Sequence, residues 1–184
     1  MKLCKKSNMR VILLSPFDLI TTPCYVEGMS LTTYRKKRRF TQTPEPKGTN
    51  PKAGKAPIFV IQKHHARAFH YDLRLEIRGA LKSWAVPKGP PKKIGEKRLA
   101  VLTEDHPMEY AKFEGIIPEG QYGAGKVEIW DNGTFENLKS ASLQQCFKDG
   151  VIEFRADGKR LKGAYALVHF KEKNWLMIKV KLKK

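Results

Sequence analysis

Polar and apolar residues alternate without a break between His70 and Arg78. One set of positions carries charged or imidazole side chains, namely His70, Asp72, Arg74, Glu76 and Arg78. The other set is apolar and consists of Tyr71, Leu73, Leu75 and Ile77. A period of two predicts a β-strand with one face packed on a core and a polar outer face opposite to it.

Short strands are predicted along most of the chain after residue 57. They are Ile58–Lys63, Leu81–Val86, Arg98–Thr103, Lys126–Trp130, Thr134–Glu136, Val151–Arg155, Leu161–Phe170 and Trp175–Leu182. Asp131-Asn132-Gly133 predicts a hairpin turn between two of them. One helix is predicted over Leu138–Phe147, with Gly150 just beyond its end. Many short strands joined by tight turns favour a mainly β fold, an antiparallel sandwich or barrel with one or few short helices.

The polar face of the predicted strand can support metal chemistry. Side chains at i and i+2 lie on one face about 7 Å apart, so His70 and Asp72 can approach one ion. His64 completes a three-ligand site if the intervening chain curves back, and Arg74 can reach an anion bound there. Two histidines and a carboxylate with open positions suit manganese, iron or zinc. The alternative is a polar strand face that carries two unrelated histidines.

The chain is strongly basic, with 36 Lys and Arg against 18 Asp and Glu and a net charge of +18. This surplus indicates a polyanionic partner, nucleic acid before membrane; the alternative is a merely basic soluble protein. No basic amphipathic helix or span of membrane length is evident. The three scattered cysteines show neither a disulfide framework nor a metal motif, which is typical of a reducing cytosol, and Cys146 is expected to be buried or half-buried.

We expect a single folded domain preceded by two other segments. Residues 1–33 form an N-terminal extension expected to be poorly ordered, and a signal peptide is excluded by Pro16 and Asp18. Residues 34–57 form a basic arm and lead-in, and residues 58–184 form the barrel domain. The basic run Tyr34–Phe40 is interpreted either as a solvated arm or as a flexible arm that grips phosphates.

Other candidate residues follow strand ends or loops. Glu104 and His106 follow a strand and suit a proton-transfer group and a phosphate ligand, although Asp105 could equally cap a helix there. Lys88 and Arg98 are candidates for binding anions. The aromatic residues Trp84, Tyr110, Tyr122 and Trp130 either stack on bases or belong to the core. The glycine-rich stretch 115–125 matches neither a phosphate-binding loop nor a dinucleotide fingerprint.

Five strings of the sequence carry a resemblance to a known family. They are Gln62-Lys63-His64, His70–Glu76, Leu81–Pro90, Glu104-Asp105-His106-Pro107 and Glu114–Gly125. They closely resemble the 3′-phosphoesterase domain of ligase D, the prokaryotic non-homologous end-joining ligase. The resemblance runs from about Tyr34 to the C-terminus. No ligase or polymerase domain follows, so we expect a stand-alone form.

The resemblance implies a β-barrel whose concave face holds the site, with manganese as the metal. The family's metal ligands correspond to His64, His70 and Asp72, and its phosphate-contacting residues correspond to Arg74 and His106. Residues that support activity in the family correspond to Glu104, Tyr110, Lys88, Arg98, Arg38 and Glu45. Two positions depart from the family pattern. Arg39 stands where an acidic residue is usual, and His65, where aspartate is usual, adds an imidazole that could compete for the metal.

The implied activity is the processing of DNA 3′ ends. A phosphodiesterase step removes a terminal ribonucleoside, and a phosphomonoesterase step removes the remaining 3′-phosphate. The expected partners are such DNA ends together with a separate DNA ligase, a polymerase and a Ku-like end-binding protein; the protein is expected to be a monomer, cytoplasmic and associated with the nucleoid. Two alternatives remain, a non-catalytic nucleic-acid-binding barrel and a zinc-dependent hydrolase of small phosphate esters.

Overall fold

The computed structural model describes residues 31–48 and 56–182. Two short α-helices, α1 and α2, span Leu31–Lys36 and Leu143–Lys148, and a 3₁₀ helix spans Met108–Lys112. Strands β1 to β5 are Ile58–His65, His70–Ile77, Ala80–Val86, Lys97–Leu102 and His106–Pro107. Strands β6 to β10 are Gly115–Ile117, Gly125–Asn137, Val151–Gly158, Lys162–Lys171 and Asn174–Val180. Of the predicted N-terminal extension, residues 1–33, the first 30 residues lie outside the described part of the chain.

Eight of the strands form a closed antiparallel barrel. Their order is β1-β2-β3-β4-β10-β9-β8-β7, and β7 pairs again with β1. The two shortest strands lie off this ring, with β6 paired to β7 and β5 paired to β3. The prediction of a mainly β antiparallel barrel with few helices is confirmed. No helix within the described parts of the chain has the length and apolar character needed to cross a membrane.

The interior of the barrel is a single apolar cluster to which every barrel strand contributes. Its members include Phe59, Leu73, Trp84, Ala100, Phe135, Phe154, Leu167 and Trp175. The predicted burial of Cys146 is confirmed, because its thiol lies in the same cluster. A second, smaller cluster contains Val60 of β1 and Leu81 of β3, whose side chains alternate with those of the interior. It therefore lies on the outer wall of the barrel, beneath Tyr34, Tyr110, Phe113 and Ile117.

The predicted outer face of β2 is not solvent-exposed. Asp72, Arg74 and Glu76 are all buried, and so are the apolar residues between them. Segments 31–48 and 104–123 cover this part of the wall and enclose the polar side chains. The alternation fixed which side chains share a face, but the cover comes from segments distant in sequence.

The predicted hairpin at Asp131-Asn132-Gly133 is wrong, because Gly125–Asn137 is one continuous strand. Asp131 accepts hydrogen bonds from the backbone N–H groups of residues 159 to 161 instead of starting a turn. Gly133 is needed for close strand packing, since a Cβ atom there would lie 2.3 Å from the carbonyl oxygen of Asp157. The register of β7 against β1 shifts by one residue beside Ile61, which leaves Trp130 as the extra residue of a β-bulge.

Helix α2 begins five residues later than predicted, at Leu143 rather than Leu138. The Asn137 side chain closes a turn by donating to the carbonyl of Ala141 and accepting from the N–H of Lys139. Ser142 then caps the helix by accepting from the N–H of Gln145. Gly150 follows the helix with a positive φ of 75°, as its position predicted.

The basic arm is not a flexible arm in the structure. Tyr34 is fully buried, and its hydroxyl donates to the carbonyl of Pro46 at 2.6 Å. Arg38 is also buried, and its ring contact with Tyr34 places the guanidinium 3.8 Å from the ring centroid. Residues 31–48 thus form part of the cover over β1 to β3, and only the neighbouring cations such as Arg39 remain exposed.

Candidate metal and phosphate site

His64 and His70 lie directly opposite each other in the antiparallel pair of β1 and β2. Their rings are 4.8 Å apart between centroids. Asp72 follows on the same face of β2, and one ligand atom from each of His64, His70 and Asp72 lies within 4.8 Å of the others. The β1–β2 hairpin therefore curves back as required and brings the predicted triad together.

Backbone carbonyl groups set the orientation of both imidazoles. Nδ1 of His70 lies 2.8 Å from the carbonyl oxygen of Ala68, and Nε2 of His64 lies 2.9 Å from that of Gly123. Because a carbonyl can only accept, each of these nitrogens carries the proton. The remaining nitrogens face Asp72, with Nδ1 of His64 3.5 Å from Oδ2 and Nε2 of His70 3.6 Å from Oδ1. Two lone pairs and a carboxylate therefore point toward one another.

This donor set fits a divalent transition metal. Metal-binding histidines usually donate their second N–H to a carbonyl or carboxylate, as both do here. Burial raises the pKa of Asp72, but the adjacent Arg74 charge opposes burial, and the pKa lies below its ordinary value. The carboxylate is thus ionised at neutral pH and available as a ligand. The arrangement is compatible with a metal-dependent enzyme.

Arg74 is held next to the triad by three hydrogen bonds. Its Nε donates to Oε1 of Gln62 at 2.7 Å, Nη1 to Oγ of Ser83 at 2.9 Å and Nη2 to Oδ2 of Asp72 at 3.0 Å. The guanidinium also lies 4.6 Å from the ring centroid of Tyr110. Since it carries five N–H groups, two remain for an anion in the cleft.

His106 occupies the far side of Arg74. Its Nδ1 lies 2.9 Å from the carbonyl oxygen of Glu104 and 3.1 Å from Oγ of Ser83, while Nε2 lies 3.4 Å from Nη2 of Arg38. Burial together with the charges of Arg74 and Arg38 places the pKa of His106 well below its ordinary value. The imidazole is therefore neutral at pH 7, with the proton on Nδ1 and an acceptor at Nε2.

Glu104 forms the centre of an ion-pair network at the edge of the cleft. Its carboxylate pairs with Nζ of Lys37 at 3.0 Å and with Nη1 of Arg38 at 3.1 Å. Burial raises its pKa, but the hydrogen bond from Lys37 and the charge of Arg38 outweigh burial, so the pKa lies below its ordinary value. Arg38 also pairs with Glu45 at 2.8 Å, and Glu45 accepts from the hydroxyl of Tyr110 at 3.0 Å. Asp105 caps no helix and instead pairs with Lys82 at 2.7 Å.

Most of the predicted site residues line one cleft of about 180 Å³. Those that line it are His64, His70, Asp72, Arg74, His106, Glu104, Arg38 and Tyr110. The cleft lies between the outer wall of the barrel and the covering segments 31–48 and 104–123. The family resemblance had implied a site on the concave face of the barrel. Lys88 and Arg98 do not line the cleft. Lys88 lines a separate cavity at one end of the barrel, and Arg98 pairs with Glu96.

The remaining sequence candidates separate into core and surface. Trp84 is fully buried in the barrel interior and Tyr110 is 2% exposed, so neither can stack on a base. Tyr122 is 48% exposed at the mouth of the cleft and Trp130 is half-buried. His65 points away from the triad and pairs with Glu128 at 3.2 Å. In this arrangement its imidazole is not placed to compete for the metal site.

Sequence reasoning assigned no role to Gln62 and Ser83. Gln62 is fully buried, accepts from Arg74 and donates to the carbonyls of Tyr110 and Phe113. Ser83 lies opposite Arg74 in the β2–β3 register. The spacing of Gln62 two residues before His64 was a usable signal, because it places both on one strand face. Ser83 carried no signal without the register.

Comparison with known proteins points to the same family as the five sequence strings. Residues 62–169 match the family model of the DNA ligase D 3′-phosphoesterase domain. The chain is 49% identical over 156 residues to the multifunctional non-homologous end joining protein LigD of Mycolicibacterium smegmatis, a match that covers 82% of this chain and 20% of that protein. It is 45% identical over 157 residues to the Pseudomonas aeruginosa protein of the same name, covering 82% and 18%. With the multifunctional non-homologous end joining DNA repair protein LigD of Mycobacterium tuberculosis it shares 48% identity over 159 residues, covering 84% and 20%. The chain thus spans about a fifth of the length of these relatives.

Proposed function

The chain belongs to the DNA ligase D 3′-phosphoesterase family, and we propose that it hydrolyses phosphoesters at the 3′ ends of DNA in end-joining repair. The substrates are ends that carry a terminal ribonucleoside or a 3′-phosphate. A phosphodiesterase step releases the ribonucleoside, and a phosphomonoesterase step then exposes a 3′-hydroxyl for ligation.

One observation carries this proposal. Two imidazole lone pairs and the Asp72 carboxylate converge beside Arg74, which has two N–H groups left for an anion. We propose manganese as the metal of this site, held by His64, His70 and Asp72. When bound, it supplies charge neutralisation and polarisation of a phosphate oxygen.

The side chains of the protein then bind and orient the phosphate. Arg74 donates to non-bridging oxygens, where negative charge increases in the transition state. Gln62 and Ser83 fix its guanidinium, so little reorganisation is required during the reaction. Arg38 and Lys37 add positive charge at the cleft, and Glu104 holds both in place.

We propose that His106 is not a proton donor in the resting state and becomes a phosphate ligand only once its Nε2 is protonated. Its lowered pKa leaves Nε2 without a proton at neutral pH, and the lowered pKa of Glu104 leaves that group ionised. An incoming phosphate adds negative charge next to Nε2 and favours proton uptake there. His106 would therefore donate to the phosphate only after the substrate has bound.

Two observations favour this function over the alternatives. A non-catalytic binding barrel has no need for a buried, oriented pair of histidines beside a carboxylate, because phosphate binding needs only exposed cations. A zinc hydrolase of small esters does not account for a net charge of +18. The charge is consistent with a nucleic-acid substrate.

The relatives are named as multifunctional end-joining proteins, and this chain spans about a fifth of their length. We propose that the other steps are supplied by ligase and polymerase domains or proteins and by a Ku-like end-binding protein. We also propose that the protein acts as a monomer in the cytoplasm, at the nucleoid. The basic segment 34–57 and the barrel 58–184 would work as one unit, because Arg38 contributes to the cleft.

A primer–template labelled at its 3′ end tests the proposal. We expect manganese-dependent loss of a terminal ribonucleoside, followed by conversion of the 3′-phosphate to a 3′-hydroxyl. The Asp72→Asn variant keeps the size of the side chain but loses a charged ligand, so both steps should stop. Equal product formation by this variant, or by the wild type after chelation, would contradict a metal-dependent reaction.

A further inference from the structure

A second cavity lies at one end of the barrel, on the opposite side of β2 from the metal and phosphate site. Its volume is about 410 Å³, more than twice that of the cleft described above. Its walls combine the aromatic side chains of Tyr71, Trp130 and Tyr165 with the cations Lys92, Arg160 and Lys179. We refer to these six residues as the barrel-end groove.

The β-bulge in β7 positions Trp130 in the groove. Before the bulge, Val127 and Ile129 face the outer cluster, whereas after it Phe135 faces the interior. The extra residue switches the alternation and leaves Trp130 at the edge of the interior cluster, half-buried. Its ring makes an edge contact with Tyr71 at 5.6 Å. Bulges of this kind re-aim a side chain, and this one aims the largest aromatic into the groove.

A buried carboxylate fixes the opposite wall. Asp131 is 5% exposed and accepts hydrogen bonds from the N–H groups of Lys159, Arg160 and Leu161 at 2.6 to 3.1 Å. The loop between β8 and β9 is therefore held in one conformation. It places the Arg160 guanidinium 5.4 Å from the centroid of the Trp130 ring.

The cations of the groove are available to a ligand. None of Lys92, Arg160 and Lys179 forms an ion pair with a carboxylate among the described residues. Lys179 instead lies 5.6 Å from the ring centroid of Tyr165. The nearby acids are already committed, Asp131 to backbone N–H groups and Glu96 to Arg98 and to the backbone of residues 92 and 93. The groove thus combines positive charge that has no carboxylate partner among the described residues with the half-buried ring of Trp130.

We propose that the barrel-end groove binds an unpaired stretch of the DNA whose 3′ end is processed at the metal and phosphate site, an inference that rests on the proposed function. A base stacks on Trp130, and the flanking phosphates pair with Arg160, Lys179 and Lys92. Stacking platforms lined by cations are the common design for single-stranded nucleic acid. Duplex DNA cannot present an unstacked base to Trp130.

The position of the groove relative to the catalytic cleft supports this assignment. Tyr71 lies between the metal ligands His70 and Asp72 in β2, with its side chain on the other face of the strand. Phe69, at the tip of the hairpin, is 45% exposed and contacts Tyr71 at 5.3 Å between centroids. An aromatic path therefore leads from the end of the cleft round the hairpin to the groove.

Intrinsic fluorescence provides a specific test. Trp130 is the only half-buried tryptophan, since Trp84 and Trp175 are at most 1% exposed. We expect a short oligothymidylate to quench the wild-type fluorescence in the absence of metal. Trp130→Phe should remove the quenching while retaining affinity, and Trp130→Ala should weaken binding by about tenfold.

A charge-matched pair separates the groove from general basicity. Each phosphate contact with a single strand contributes about 0.7 to the slope of log affinity against log salt. The double variant Arg160→Ala/Lys179→Ala removes two such contacts and should therefore lower the slope by about 1.4. The control Lys171→Ala/Lys173→Ala removes the same charge from the turn between β9 and β10, at the other end of these strands, and should leave the slope unchanged.

Two results would overturn the inference. Quenching that is absent in the wild type, or equal salt slopes in the two double variants, would exclude the groove as the binding surface. Manganese-dependent turnover of the wild type in the same preparation would show that the proposed function stands without it. A wild type that neither binds nor hydrolyses would reject both.

Discussion

Arg38 and Glu104 form a buried ion pair, with Nη1 3.1 Å from Oε1, although 66 residues separate them in the chain. The Arg38 side chain is 3% exposed and that of Glu104 is 2% exposed. The same guanidinium also pairs with the buried Glu45. Arg38 therefore joins the N-terminal basic segment to the loop that carries His106, and a neighbouring cation cannot replace it.

We expect Arg38→Ala to destabilise the protein by about 3–5 kcal/mol, because it leaves two buried carboxylates without their shared partner. Arg39→Ala is the matched control. Arg39 is exposed, so its replacement should change the free energy of unfolding by less than about 0.5 kcal/mol. Urea titration measures both values. Equal stability of the two variants would mean that the arm does not pack on the barrel.

The candidate metal ligands could be predicted from sequence because their positions depend on local periodicity. An interval of two residues puts His70 and Asp72 on one face, and a short hairpin places His64 opposite His70. No longer-range information was needed. The mainly β class followed in the same way from the spacing of turns.

The burial of the site could not be predicted in this way. Segments 31–48 and 104–123 cover β2, and their contacts with it depend on packing between elements distant in sequence. For the same reason the basic run that contains Arg38 was interpreted as a solvated or flexible arm. Ser83, which meets Arg74 only through the β2–β3 register, was missed. Asp131-Asn132-Gly133 has the composition of a turn. In the structure the Asp131 carboxylate instead binds the loop after β8, and Gly133 allows close packing against β8 because it has no side chain.

Manganese binding should depend on the two histidines that face each other and not on their neighbour. We expect His64→Ala and His70→Ala each to weaken binding by at least about tenfold, because each removes a lone pair oriented by a backbone carbonyl. His65→Ala should bind as the wild type does, since His65 pairs with Glu128 away from the triad. Isothermal titration with manganese measures the affinities. A loss of affinity in His65→Ala alone would contradict the assigned ligands.

Arg74→Lys should reduce the rate of the chemical step by roughly 10²-fold, the loss typical of a missing oxyanion donor. A lysine supplies charge but cannot reproduce the three directed bonds to Gln62, Ser83 and Asp72. Single-turnover kinetics on a labelled 3′-phosphate end gives the rate, and circular dichroism gives the folded fraction. Arg78→Lys, an exposed position at the end of the same strand, serves as the control. A folded Arg74→Lys variant with a normal rate and weaker binding would make Arg74 a binding residue only.

The affinity for duplex DNA ends should fall steeply with salt, since each neutralised phosphate contributes a slope of about 0.9. The double variant Lys36→Ala/Arg39→Ala removes two exposed cations of the basic segment and should lower the slope by up to about 1.8. Turnover at saturating substrate should change little, because neither residue lines the cleft. Fluorescence anisotropy over a salt series measures the slope. A slope that is flat in the wild type would show that the basic surplus does not serve DNA.

Acid should destabilise the protein through His106 before it affects the carboxylates. The pKa of His106 lies well below its ordinary value in the folded state, because burial and the charges of Arg74 and Arg38 oppose protonation. In the unfolded chain the residue takes up a proton near pH 6.5. Below that pH the unfolded state binds more protons, so the free energy of unfolding decreases as the pH falls toward the folded pKa.

His106→Asn isolates this contribution. Asparagine can donate to the Glu104 carbonyl as Nδ1–H does, but it has no proton to take up in this range. Between pH 7 and pH 5 we expect the melting temperature of the wild type to fall more than that of the variant. Asp72 and Glu104 have lowered pKa values, so their stabilising charges are lost only below about pH 4, outside this window. Parallel melting curves over pH 5 to 7 would show that the pKa of His106 is the same in the folded and unfolded states. A smaller fall in the wild type than in the variant would show that folding favours the protonated imidazole, which could then donate to the phosphate in the resting state.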